Sequence, residues 1–423
     1  MTESEERLER LQFRARNVAP EVAVWEARAY FASLAPGDAR ELAERYPDHV
    51  GSLDGVPVEL RYYANRLRID AERNRLTALP KPSKDERKRL ATLNEMLTPT
   101  RSLGVDPATG KRVVVEQYRQ FLSVDPTRDG CAVEVLGDLD NARQVAVLVP
   151  GMGNDLETLR SQADRAHTLK VEAGPGTAAV LWMDYDSPDG VLEAASKQDA
   201  WDAISGFRRF QAGLDTELLP EASTTVIGHS YGTTVVGQAL LRGARFDRVV
   251  LTGSPGISRE VTSAAELVPP GIQVFAARAP GDYVSYTQWH GPDPASFPDV
   301  VRLQTGAGVR WHDQYYRPNS EALRNLGRVI RGDLAAVTTA DTSPSQETRL
   351  LPGVSWAGAI RGAAEPVSAV YDGVAAMRGV KPPAIASSAG TSAGPSELGE
   401  SARVIRPDDS RWGRAPRPEG PTR

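Results

Sequence analysis

Apolar residues recur three or four positions apart from Glu3 to about Thr98. Leu8, Leu11 and Ala15 share one helical face, and Val24, Ala27 and Phe31 share another. Ser83-Lys84-Asp85-Glu86 has the spacing of a capping box, in which the Ser and Glu side chains each satisfy a free amide of the other residue. Leu90, Leu93 and Leu97 then follow on one face. Asp54-Gly55 and Pro57 punctuate the chain before a long helix over Arg61–Leu76. No β-branched run interrupts this pattern, so residues 1–105 read as a helical region. Arg61, Arg66, Arg68 and Arg73 on the long helix suit a solvent-facing rim, as in a partial lid over an active site, while the helices could equally wrap the flank of the sheet and serve stability.

From about Arg112 to Leu334 the period changes. Short apolar runs at Val113–Tyr118, Cys131–Leu136, Val145–Val149, Ala178–Met183, Thr224–Ile227, Val249–Thr252, Ile272–Ala276 and Val300–Leu303 predict strands. Amphipathic stretches at Asp155–Leu169, Val191–Leu214, Thr233–Arg242 and Asn319–Arg331 predict helices between them. Alternation of this kind implies a mostly parallel sheet covered by helices on both faces. The first strands have no helix between them, which predicts an antiparallel hairpin at the start. The span 106–340 is therefore expected to form one α/β domain. Residues 341–380 read as a weakly helical extension broken by Gly353, Gly358, Gly362 and Pro366. Residues 381–423, rich in Pro, Gly, Ser and Arg, read as a disordered tail.

Composition narrows the function classes. A net charge of −5 offers no general attraction to nucleic acid, and no run approaches the roughly 18–20 apolar residues of a membrane span. Cys131 is the sole cysteine of 423 residues, which excludes an intramolecular disulfide and a multi-cysteine zinc site. No cofactor motif stands out, and none is expected. The charged first residues differ from a signal peptide, so a cytoplasmic location is expected.

The chemistry is concentrated in Gly228-His229-Ser230-Tyr231-Gly232. A strand before this G-x-S-x-G pattern and a helix after it force the Ser into a sharp turn that lifts its hydroxyl above the strand ends. Gly228 and Gly232 let strand and helix close on each other. A nucleophilic Ser needs a base. Of five histidines, His49 and His167 fall in helical segments and His229 points away along the turn, leaving His290 and His312 downstream. His312 follows the last predicted strand on the edge where Ser230 emerges, whereas His290 sits in a turn-rich insertion. Asp282, a few residues beyond the strand Ile272–Ala276, is the acid placed to orient His312. The loop Pro150-Gly151-Met152-Gly153-Asn154 after another strand offers the Met152 amide, beside that of Tyr231, as an oxyanion hole. Trp182, Tyr185, Trp289, Trp311 and Tyr315 fall on the same edge loops and are candidates for lining an acyl pocket, although for each one taken alone ordinary packing is the favoured role.

Together these residues resemble the serine α/β-hydrolase fold. Leu42-Ala43-Glu44-Arg45-Tyr46-Pro47, Leu53–Pro57 and Tyr63-Ala64-Asn65-Arg66 are similar to the N-terminal helical signature of an actinobacterial family whose α/β-hydrolase domain has no assigned function. Val147–Gly151, Gly228–Gly232, Ala279–Asp282, His290–Pro294 and the His312…Glu321 segment resemble its later motifs in order, over roughly residues 20–335. The resemblance implies a Ser230/Asp282/His312 triad and implies no particular substrate. Two function classes follow. One is a serine hydrolase cleaving an ester, thioester or amide of a small or lipid-like acyl substrate. The other is an interaction or export-associated module on a hydrolase scaffold, meeting a protein through its N-terminal helices or tail. A complete set of three groups favours the first, because a scaffold has no need of them.

Overall fold

In the computed structural model, which describes residues 2–105, 112–127, 129–340 and 404–405, helices fill the chain as far as residue 97. Capping boxes at Thr2 and Ser83 start α1 (Glu3–Asn17) and α6 (Lys84–Leu97). Between them, α2 (Pro20–Ala32), α3 (Pro36–Arg45) and α4 (Pro47–Ser52) each begin on proline, whose missing N–H costs nothing at a first helical position. The long α5 (Val58–Thr77) follows. Leu8, Leu11, Phe31, Leu42, Val50 and Leu60 pack on one another as a small core separate from the sheet.

A hairpin of β1 (Thr100–Val105) and β2 (Arg112–Gln117) comes next, and the expected boundary at residue 105 falls inside it. The main sheet is built from β3 (Gln120–Asp125), β4 (Cys131–Leu136), β5 (Gln144–Val149), β6 (Thr177–Met183), β7 (Ser223–His229), β8 (Arg248–Thr252), β9 (Gln273–Ala277) and β10 (Val301–Arg302). Its order is β10-β9-β8-β7-β5-β6-β4-β3. The strands from β5 to β10 run parallel, and β4 opposes both of its neighbours. One face buries Val133, Val147 and Val180 under α9 (Gln198–Asp215) and α10 (Tyr231–Leu241). The other buries Ala146, Leu148 and Ile227 under α7 (Leu159–Ala173) and α12 (Glu321–Arg331). Both faces are covered, so the parallel strands read as unbroken apolar runs.

Three expectations change. The antiparallel hairpin exists, but β4 pairs with Gln120–Asp125, which the sequence pattern passed over; Val113–Tyr118 contributes to the separate β1–β2 pair. In β3 the four central residues are all buried, and its register shifts between Phe121 and Ser123, so no polar–apolar alternation marks the strand. The helix expected over Val191–Leu214 is split into α8 (Val191–Ala194) and α9.

The third change concerns the N-terminal helices, whose packing partners are β3 and α9, on the flank of the sheet. Val58 of α5 joins the core of one face, while Ile69 and Leu76 join that of the other, so the helix crosses the edge strand. Burying each such side chain contributes on the order of 1.5–3 kcal/mol. The buried Asn65 amide donates to the Phe121 carbonyl at 2.9 Å and to Gly51 O at 3.0 Å. The arginines expected to form an open rim are engaged instead. Arg61 is buried against Asp54 at 2.9 Å, Arg68 donates to Asp48 at 2.7 Å, Arg73 pairs with Asp70, and Arg66 stacks over Tyr118. The expected extension at 341–380 lies outside the described residues. So does the expected tail, apart from Val404–Ile405, which pair with β2 as β11.

Candidate active site

Ser230 stands between β7 and α10 with φ 56° and ψ −132°, in the left-handed half of backbone space that a residue with a Cβ occupies at a cost of about 1–3 kcal/mol. Its neighbours enforce the turn. A Cβ on Gly232 would lie 2.2 Å from Val149 O, and one on Gly228 would lie 2.8 Å from Thr233 Cα. The Ser230 amide donates to Thr252 O at the end of β8 (3.0 Å), and Thr233 returns a bond to Ser230 O (2.9 Å). The strained residue is therefore held from both sides.

The acid and base meet one strand further along. Asp282 caps the short α11 (Tyr283–Thr287), accepting from the amides of Val284 (3.1 Å) and Ser285 (3.3 Å). His312 Nδ1 donates to its Oδ1 at 2.8 Å, and the Tyr315 hydroxyl donates to its Oδ2 at 2.5 Å. Burial pushes this fully enclosed carboxyl up, but the His312 ring and the Tyr315 hydroxyl outweigh burial and hold it below the usual carboxylate range. Tyr315 stays protonated, its pKa raised by burial and by Asp282. Gly253, the residue after Thr252, makes room for the pair. A Cβ there would lie 2.7 Å from Asp282 Oδ2 and 2.9 Å from His312 Cε1. Hence the elbow, through Thr252, and the Asp282–His312 pair, through Gly253, rest on consecutive residues of one strand end.

The loop after β5 closes on the same point. A Cβ on Gly151 would lie 2.6 Å from Ser230 Cβ and 3.0 Å from its Oγ, so this loop touches the serine side chain. Its carbonyls are tied back by the Tyr185 hydroxyl, to Pro150 O (2.8 Å) and Gly151 O (3.0 Å), and by Asn154 Nδ2, to Gly151 O (2.7 Å). Among the described residues neither the Met152 nor the Tyr231 amide donates to a protein group.

His229 was expected to point away from the site. Its ring lies against that of His312 (centroids 4.8 Å apart), and Nε2–H donates to the His312 carbonyl at 2.8 Å. Burial and the neighbouring His312 hold its pKa well below the ordinary histidine value, so it is a neutral prop beneath the second ring. His290 serves elsewhere. Buried, it donates to Ala194 O at 2.8 Å and meets the Tyr231 ring edge-on, which pins the 288–299 loop to the elbow. The buried Arg278–Asp293 pair (2.9 Å) anchors the same loop to β9. His49 lies in α4, and His167 is exposed on α7.

Of the edge-loop aromatics, three take the packing role. Trp182 is enclosed in the core between Tyr185 and Phe207, and Tyr185 and Tyr315 are buried as hydrogen-bonding posts; Trp289 and Trp311 are half-buried on the edge loops. The signal for Trp182 was available in a strand apolar throughout; that for Tyr315 lay in its spacing, three residues after His312. Among the described residues no cluster of three His, Cys, Asp or Glu groups is arranged to hold a metal, and no helix is long and apolar enough to cross a membrane.

A family model described as an alpha/beta hydrolase matches residues 125–290, which include Gly151, Ser230 and Asp282. An uncharacterized protein of Mycobacterium tuberculosis (strain H37Rv) is 34% identical over 203 residues, spanning 44% of this chain and 75% of its own length. The chain belongs to the α/β-hydrolase family. A second uncharacterized M. tuberculosis protein is 28% identical over 397 residues, 79% of this chain and 58% of its own. Two solved structures are similar to this α/β hydrolase. One is a fungal esterase from Rhizomucor miehei, at 13% identity, 64% of this chain, 96% of that chain and a TM-score of 0.32. The other is the esterase LipW from Mycobacterium marinum, at 13%, 63%, 90% and 0.32. In this α/β hydrolase the helices α1–α6 precede the matched span.

Proposed function

We propose that the protein is a serine hydrolase that cleaves a carboxylic ester, thioester or amide through an acyl-enzyme on Ser230. The observation that carries this reading is the convergence on the end of β8. The strained Ser230 bonds to Thr252 O, and the Asp282–His312 pair packs on Gly253. With Asp282 accepting Nδ1–H, the His312 tautomer leaves Nε2 as the unprotonated nitrogen, which takes the Ser230 proton as Oγ attacks the acyl carbon. The buried carboxylate then stabilises the imidazolium, and the imidazolium protonates the leaving group. Water repeats the sequence on the acyl-enzyme. The amides of Met152 and Tyr231 receive the oxyanion, and such donors are commonly worth about 3–4 kcal/mol of barrier each. His229, already neutral, adds no repulsion when His312 becomes charged.

A fluorophosphonate probe tests the proposal. The wild type should be labelled and Ser230→Ala should not. Equal labelling of both proteins would move the nucleophile elsewhere, and a wild type that resists labelling while hydrolysing no acyl ester would leave the fold as a scaffold.

A further inference from the structure

Where α1 turns into α2, Arg16, Val18 and Pro20 face α9 and the end of α10 across a groove of about 320 Å3. Four guanidiniums line it, those of Arg16, Arg208, Arg209 and Arg242. No carboxylate lines it, and the indole of Trp201, 45% exposed, forms one wall. The counter-charges are few. Glu21 approaches Arg208 at 3.6 Å, and Arg242 is engaged by the carbonyl and side-chain oxygens of Gln238. The Asp184 carboxyl feels the Arg209 charge without an ion pair. Among the described residues the Arg16 and Arg209 side chains make no hydrogen bond or ion pair.

Like charges facing one another across a small cleft repel, and low-dielectric walls strengthen the repulsion. The chain as a whole, with its net −5, gives no reason for cations to gather at this point. A bound anion removes the repulsion. One carboxylate fills a single guanidinium fork, whereas a phosphoryl group carries up to two charges on three oxygens and engages several. The Trp201 face suits a flat or apolar body attached to that group.

We propose that this groove is an anion site that takes a phosphoryl group carried on an apolar or aromatic body. It draws Arg16 from the helical layer and the other three arginines from the catalytic layer, so an occupant ties the two together. The groove also backs onto the elbow helix. Trp201 Nε1–H donates to Gln238 Oε1 at 3.1 Å, and the Ala200 amide donates to Tyr231 Oη at 3.1 Å. It shares no residue with the serine site and stands whether or not Ser230 is a nucleophile.

Calorimetric titration with inorganic pyrophosphate tests it, together with flotation on vesicles of phosphatidylcholine containing one-third phosphatidylglycerol. Saturable pyrophosphate binding is expected, weakened about 10-fold or more in Arg16→Gln/Arg209→Gln, which removes two of the four cations lining the groove. Fluorophosphonate labelling should be as in the wild type. Arg10→Gln, in a separate groove beside Trp25, should bind normally. Binding of pyrophosphate without flotation assigns the phosphoryl group to a soluble molecule; flotation that pyrophosphate competes away assigns it to a lipid headgroup. Arg16→Gln alone, at an exposed position, keeps the test valid if the double variant does not fold. No saturable pyrophosphate binding at millimolar concentration and no flotation, or binding that the Arg16 and Arg209 changes leave intact, overturns the site.

Discussion

The strand ends around Ser230 and the helical layer around α5 are both densely polar, and they use polarity in opposite ways. At the strand ends the buried polar groups of the site draw partners from distant segments as well as from their own turns. Asp282 takes four donors, two from its own cap, one from His312 and one from Tyr315. In the layer several charges pair within one helical turn, as in Arg73–Asp70, Arg75–Glu72 and Arg40–Glu44, and such surface pairs contribute about 0–1 kcal/mol. What the layer holds firmly is apolar, apart from Asn65 and the Arg61–Asp54 pair. Polar losses at the strand ends should therefore cost chemistry more than fold, whereas losses in the layer should cost fold more than chemistry.

The largest effect expected is on turnover. Ser230→Ala should lower it by roughly 10⁵-fold or more, and His312→Ala by roughly 10³-fold or more, with melting temperatures close to wild type. A large stability loss in either would blur the contrast at its strongest point. The next effect is on solubility. Deleting residues 1–99 uncovers β3 and removes Ile69, Leu76, Leu93 and Met96 from the sheet core, so the shortened protein should aggregate. A soluble truncated protein with unchanged kcat/KM would show that the layer is dispensable to the fold.

His290 lies between the two regimes and sharpens the boundary. His290→Ala removes the bond to Ala194 O from a buried position and should cost about 1–3 kcal/mol in chemical denaturation. Its kcat should fall far less than that of His312→Ala; an equal fall would make His290 a catalytic group.

The smallest expected effect is a pH slope in stability. His229 is kept neutral when folded and would titrate near 6.5 when unfolded. The unfolded chain then binds the extra proton, so the His229 contribution is complete above about pH 6.5 and declines as the pH falls below it. His290 is shifted the same way by burial. Asp215 and Asp293, each pushed up to about 6 by burial, act in the opposite sense. The comparison between proteins isolates the term. Melting curves from pH 7 to pH 5 should fall less steeply for His229→Asn than for the wild type, and parallel curves would remove His229 from the balance.

How much of this was readable depended on the range of the forces involved. The Ser83 cap, the elbow at Gly228–Gly232 and the parallel strands follow from neighbours in sequence or from periodicity, and all were accessible. The proposed triad of Ser230, Asp282 and His312 rests on rules of the same kind, a motif and positions after strands. β3 was not, because α5 buries positions that an ordinary edge strand would leave polar. The contact of His229 with His312 had no local signal either, since 83 residues separate it from the carbonyl it bonds. Arg61 looked like a rim residue because nothing in its helical spacing reveals the Asp54 carboxylate folded against it.

The dispersal of the site along the chain also sets a schedule. The elbow is built from residues 223–241, but the groups packed on Gly253 come from Asp282 and from the segment His312–Tyr315. On a ribosome adding residues from the N-terminus, the serine leaves the exit tunnel well before its proposed base has been translated. A nascent chain that stalls between the two would carry an unactivated hydroxyl, harmless to the acyl compounds around it. Any reactivity would switch on only when the last loop arrives to close the circuit.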